Sequence, residues 1–321
     1  MNIVTMKLNF RIDRAVAQKY FTYIILKSSN DNGVLDDAIL KNSYGLGELL
    51  SKKNYESLEK LSHLIHKNKV SFKEKNIIEN LSGSLANKSL KNWEELEEGL
   101  SGIFSDIFQN LEFLLQKQKE HLEKSNCIVL LSSIKKIFGT TLEEVDVYLT
   151  PGGFPKFTPG LALNLKTSTS NGLKPTVFIA SSNTHQENYP LLESTVIHEV
   201  SHLIENSSGC VEVAKSYIML SNILKHKPES NSPRHFVFES IITAIAGNKH
   251  SYHIQKYYAD YYTPYLLPPE PNINDTYLKI ASLILPLITP YIENEVILDK
   301  SFFENITNLS FINKLNKLDF K

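Results

Sequence analysis

Five consecutive residues constrain this chain more than any other feature, and they read His198-Glu199-Val200-Ser201-His202. On a helix, residues four apart lie about 40° apart around the axis and about one turn apart along it. Both imidazoles can therefore bind one metal ion from the same side. Glu199 lies about 100° from His198, where it can act on a metal-held water instead of binding the metal. The spacing predicts a metal site on a helix.

The residues around this motif predict an amphipathic helix. With His198 at 0°, one group of apolar residues lies between about 120° and 260°. These residues are Leu192, Val196, Ile197, Val200, Leu203 and Ile204. Pro190 is typical of a first helical turn, and Gly209 is typical of a position just past the end. An ordinary surface helix with two exposed histidines would show the same pattern, so that alternative remains open.

The pattern of apolar and polar residues changes near residue 140. Before this point we expect an opening strand within residues 1–10, a helix that Asp13 caps and that runs to about Lys27, and mostly helical structure from 35 to 138. After it, alternating patterns predict strands at about 145–150, 161–165 and 176–181, with turn residues between them. Helices then follow from Pro190 onward, including one over 233–246 that Ser232 caps.

This order predicts a mostly helical α+β fold. We expect a small antiparallel or mixed sheet packed on the helix that bears the motif. The predicted domains are a mostly helical N-terminal region over residues 1–140 and a second domain over residues 141–321.

Composition excludes several classes of function. The net charge is −1, from 34 basic and 35 acidic residues, and only Arg11, Arg14 and Arg234 are arginines, which argues against nucleic-acid binding. No apolar run is long enough to span a membrane. The cysteines, Cys127 and Cys210, form no disulfide framework and are expected to pack as small apolar residues. A cytoplasmic location is the default expectation, although a secreted protein trimmed of its signal would look the same.

The motif resembles that of the zincin metallopeptidases. The resemblance covers about residues 141–262 and is specific at the five-residue motif. It implies Zn²⁺ as cofactor, His198 and His202 as ligands, Glu199 as the general base, and a peptide or protein as substrate. Such enzymes also need a donor that stabilises the oxyanion, usually a tyrosine or histidine. The tyrosines and histidines between residues 250 and 262 are candidates, and the sequence does not choose among them.

The third zinc ligand distinguishes the branches of these peptidases. The metzincin pattern fails because Glu205 and Ser208 stand where it requires glycine and histidine. Gluzincins of the thermolysin and aminopeptidase types place a glutamate 19 or 20 residues after the second histidine, and here those positions are Ser221 and Asn222. Other gluzincins place the glutamate further on, in the next helix. Glu239 fits that arrangement.

Glu239 is also the best candidate on physical grounds. It lies in the middle of an otherwise apolar predicted helix, and it faces away from Val237 and Ile241. A carboxylate in such a helix is unfavourable unless it is paired or binds a metal. The alternatives are an exposed or salt-bridged Glu239, with Glu205, Glu212 or His235 as the third ligand.

These residues predict a zinc-dependent peptidase of gluzincin type. We expect the substrate to lie extended along an edge strand, for which residues 176–181 are the candidate. Two alternatives remain, a catalytically silent zincin-fold binding module and a latent peptidase that its N-terminal region covers. The sequence predicts neither the substrate nor the oligomeric state.

Overall fold

A computed structural model describes most of the chain. The described residues are 6–27, 56, 91–151, 160–166, 173–181, 189–220, 232–246, 250–258 and 274–317. Most of the predicted helical stretch between residues 35 and 90 lies outside these ranges. So do Ser221, Asn222, Tyr261 and Tyr262.

All the described strands lie in the first part of the chain, and only helices follow them. The described elements begin with β1 (Lys7–Arg11), α1 (Arg14–Lys27), α2 (Lys91–Lys124), α3 (Cys127–Phe138), β2 (Glu144–Pro151), β3 (Gly160–Lys166) and β4 (Leu173–Ser181). The helices that follow are α4 (Tyr189–Asn206), α5 (Cys210–Leu220), α6 (Pro233–Ile245), α7 (Tyr252–Tyr257), α8 (Asn274–Asn294), α9 (Lys300–Thr307) and α10 (Leu309–Lys317). The described part of the molecule is thus mostly helical with one small mixed sheet, and the predicted fold class is confirmed.

The sheet has four strands in the order β1-β2-β4-β3. Strand β4 pairs with β2 in parallel and with β3 antiparallel. The expectation that residues 176–181 form an edge strand is wrong. Because β3 folds back onto β4, both sides of the β4 backbone are already paired.

A buried carboxylate links three strands of the sheet. The side chain of Asp146 on β2 accepts hydrogen bonds from Asn9 Nδ2 at 2.9 Å and Arg11 Nε at 3.1 Å, both on β1. Lys174 Nζ on β4 lies 2.7 Å from its other oxygen. These contacts satisfy a carboxylate that is only 3 % exposed. They favour the observed register, because a slip of one residue would point Asp146 to the other face.

The chain divides into two compact units, each made of segments that are distant in sequence. The helical unit comprises Met1–Lys7, Ser125–Glu144 and Pro190–Lys321, and the sheet unit comprises Leu8–Lys124 and Val145–Tyr189. The domain boundary near residue 140 stays a prediction, based on the change in the pattern of apolar and polar residues there. No helix among the described residues is long and apolar enough to cross a membrane.

Both cysteines lie in the helical unit as free, buried thiols, as expected. Burial raises the pKa of each thiol, and that of Cys210 reaches about 11. A thiol that stays protonated is a poor nucleophile, so both residues act as packing groups.

Candidate metal centre

Helix α4 carries the His-Glu-x-x-His motif and is buried on almost every side. Fourteen of its 18 residues are buried, including the polar side chains of Thr195, Glu199 and Ser201. The hydroxyls of Thr195 and Ser201 donate to backbone carbonyls one turn earlier in the helix. The alternative of an ordinary surface helix therefore does not describe α4. His198 and His202 retain 18 % and 20 % of their side-chain exposure.

Helix α6 brings Glu239 to the same place. Its start is fixed as predicted, because the Ser232 hydroxyl accepts the backbone N–H of His235 at 3.2 Å and Pro233 occupies the first turn. The apolar side of α6 is buried, and Phe236 packs against Tyr277 of α8 with ring centroids 5.5 Å apart. Glu239 projects from this helix with 19 % of its side chain exposed.

The three predicted ligands converge on one point. His198 Nε2 lies 3.2 Å from Glu239 Oε1, and His202 Nε2 lies 3.1 Å from Glu239 Oε2. The two Nε2 atoms are 3.2 Å apart. Four ligands around a tetrahedral zinc ion at its usual bond lengths are about 3.3 Å from one another. The group could therefore hold a metal ion.

The charges in this cluster favour a cation. Burial lowers the pKa of His198, but the Glu239 carboxylate outweighs that effect and raises the pKa to about 9. Burial likewise raises the pKa of Glu239, but the charge of His198 and hydrogen bonds from both histidines hold it well below its usual range. A proton thus occupies the cluster when no metal does, and metal binding must displace it.

The other nitrogen of His198 supports the same interpretation. Its Nδ1 lies 3.3 Å from the carbonyl oxygen of Ala246, at the end of α6. A carbonyl oxygen only accepts, so Nδ1 carries a hydrogen, and once the ring loses its second proton Nε2 has its lone pair available for a metal. This is the arrangement in which an outer hydrogen bond orients a metal-binding histidine. A neutral His198 would then direct a lone pair at the Glu239 carboxylate, which is unfavourable unless a cation lies between them.

A salt bridge next to the cluster joins the same two helices. Arg234, at the start of α6, donates from Nε to Glu205 Oε1 at 2.7 Å and from Nη2 to Asn206 Oδ1 at 2.8 Å, both at the end of α4. One turn earlier on α4, His202 meets Glu239, which lies further along α6. The contacts run in opposite order along the two helices, so the helices cross in an antiparallel sense. Arg234 thereby links the start of α6 to the end of α4.

We expect Arg234→Ala to weaken the binding of a metal ion, tested with zinc, at this cluster without abolishing it. Residues that orient metal ligands from outside typically contribute about 10- to 100-fold to affinity, and the lower end applies because Arg234 touches no ligand directly. Competition with a fluorescent zinc chelator measures this change, and Arg234→Lys should recover part of it. An unchanged zinc affinity in Arg234→Ala would show that the salt bridge does not position α6.

The structure places the other predicted site residues as follows. Glu199 is 6 % exposed, and its charge contributes to the raised pKa of His198, so it lies near the ligands without being one of them. Glu205, an alternative third ligand, is instead held by Arg234. Glu212 is exposed on α5. His235 is exposed near His202. Neither Glu212 nor His235 belongs to the ligand group found among the described residues.

The stretch 250–262 contributes a feature that the sequence analysis missed. Glu193 of α4 is 1 % exposed and accepts hydrogen bonds from Tyr258 Oη at 2.6 Å and from His253 Nε2 at 3.1 Å. Both partners come from the group of candidate oxyanion donors. The signal was available, because helical geometry places Glu193 on the apolar side of α4, where a carboxylate requires partners.

The chain matches no family model, no curated protein and no solved structure.

Proposed function

We propose that the protein is a zinc-dependent peptidase in which His198, His202 and Glu239 bind the metal. The observation that carries the proposal is the convergence of three ligand side chains next to the buried carboxylate of Glu199. Each histidine Nε2 lies 3.1–3.2 Å from one of the two Glu239 oxygens, and the two Nε2 atoms are 3.2 Å apart. The ligand group among the described residues has three members. Three protein ligands are typical of catalytic zinc sites, whereas structural sites use four.

Each residue has a separate role in the proposed reaction. Zinc held by the three ligands would polarise a peptide carbonyl and lower the pKa of a water molecule. Glu199 accepts a proton from that water as its oxygen forms a bond to the carbonyl carbon. Glu199 then delivers the proton to the departing amine as the C–N bond breaks. The products are a carboxylic acid and an amine, so no oxidant or other co-reactant is needed.

Zinc content and peptide cleavage, measured on the same preparation, test the proposal. We expect about one zinc per chain by mass spectrometry and cleavage of a fluorescence-quenched peptide library. A chelator should abolish cleavage, and added zinc should restore it. Zinc without cleavage would contradict the peptidase proposal and favour the silent binding module, unless limited proteolysis of the N-terminal region released the activity. No zinc after zinc is supplied would refute the metal site.

A further inference from the structure

His235 is an exposed imidazole beside the metal cluster. It is neither one of the proposed metal ligands nor the proposed base. It lies one turn before Glu239 on α6, so both side chains leave the same face of that helix. Its ring lies 6.3 Å from the ring of His202, centroid to centroid, with 22° between the planes. Its backbone is fixed by the Ser232 cap, so α6 holds His235 at a defined distance from the ligands.

The residues expected to donate to the oxyanion are engaged in other contacts. His253 is fully buried and bonds to Glu193, and Tyr258 donates to the other oxygen of the same carboxylate. The charge of Glu193 also helps to raise the pKa of Tyr257, after burial and the charge of Cys127. Tyr252 is 7 % exposed. Four of the five described candidates from the stretch are thus buried or grouped around Glu193, and the fifth, His250, is exposed.

We propose that His235 is a catalytic residue that donates a hydrogen bond to the substrate carbonyl oxygen during hydrolysis. This inference rests on the proposed peptidase function and adds a residue to it. The exposed imidazole can contact a substrate, whereas the half-buried ligands are directed at one another. It is not among the ligand atoms that converge.

The chemical step assigns a definite task to this donor. As the water oxygen bonds to the carbonyl carbon, the π electron pair of the C=O bond moves onto oxygen. A ring N–H of His235 donates a hydrogen bond to that oxygen and stabilises its growing negative charge. When the C–N bond breaks, the electron pair returns to form the C=O bond of the acid, and His235 keeps its proton.

The test compares His235→Ala and His235→Gln with wild type, and Lys314→Ala is a control at an exposed position of α10. Zinc content, melting temperature, kcat and KM are measured for each protein with a peptide selected from the fluorescence-quenched library. We expect wild-type zinc content and melting temperature throughout. Loss of an oxyanion donor lowers kcat by about 10²- to 10³-fold, with KM changed by less than about threefold. The amide N–H of His235→Gln should restore part of kcat.

Several outcomes separate this inference from its alternatives. If His235→Ala loses zinc, His235 is a ligand and the assignment is overturned. If its kcat stays within about twofold of wild type, which is below the range for such donors, His235 makes no contact in the transition state. A wild-type protein that binds zinc but cleaves no peptide, even after limited proteolysis of its N-terminal region, refutes the proposed function, and this assignment with it. That result is visible before any variant is compared.

Discussion

Replacing Glu239 by alanine is expected to remove zinc from the protein. Loss of the carboxylate leaves two histidines, which are too few ligands for a stable protein zinc site. Since outer residues alone contribute 10- to 100-fold to affinity, losing a direct ligand should weaken binding by at least about 100-fold. Metal content by mass spectrometry after dialysis against a weak chelator measures the loss. Peptide cleavage should disappear with the metal.

The matched control is Glu212→Ala, which also removes a glutamate but from the exposed start of α5. It should retain about one zinc per chain. Glu239→Gln keeps the shape of the side chain and removes its charge, so it should also bind zinc weakly. If Glu239→Ala retains wild-type zinc affinity, the third ligand is a different residue, and the cluster must be reinterpreted as a hydrogen-bonded His–Glu–His group.

Replacing Glu199 by glutamine is expected to abolish cleavage while the metal remains. Glutamine has nearly the same shape but cannot accept a proton from water at neutral pH. General acid–base catalysis typically contributes about 10²- to 10⁴-fold, so kcat should fall within this range. The measurement is cleavage of the selected peptide by protein whose zinc content and melting temperature have been shown to match wild type.

Glu199→Gln and Glu239→Ala should therefore fail for different reasons. Added zinc at high concentration should partly restore Glu239→Ala and should do nothing for Glu199→Gln. A Glu199→Gln protein that cleaves peptides at the wild-type rate would eliminate Glu199 as the base and with it the proposed mechanism.

Local sequence signals predicted most of the described elements. Asp13 and Ser232 mark the starts of α1 and α6, and each accepts the backbone N–H three residues later. The strands after residue 140 appear within a few residues of their predicted positions. These features depend on neighbouring residues, which is why spacing and capping were sufficient to predict them.

Features that depend on distant contacts were not predicted. The position of β4 inside the sheet depends on its pairing with β2 and β3, and its own sequence does not encode either partner. Likewise, the burial of α4 follows from the packing of other helices around it. Glu239 is an exception, because the cost of an isolated carboxylate in an apolar helix identifies it from the sequence alone. No local signal pairs Arg234 with Glu205, since the two residues are far apart in sequence.

The interrupted path of the chain through the helical unit has a consequence for how the protein is made. In helix α3, Leu131 and Ile134 are fully buried. This helix is synthesised before strands β2, β3 and β4. It cannot bury those side chains in its own unit until the segment from Pro190 onward has been synthesised. Such long-range contacts slow folding, because distant segments must meet before they are stabilised. The metal ligands should therefore assemble late, and a truncated chain that starts at residue 141 would lack part of the core that supports them.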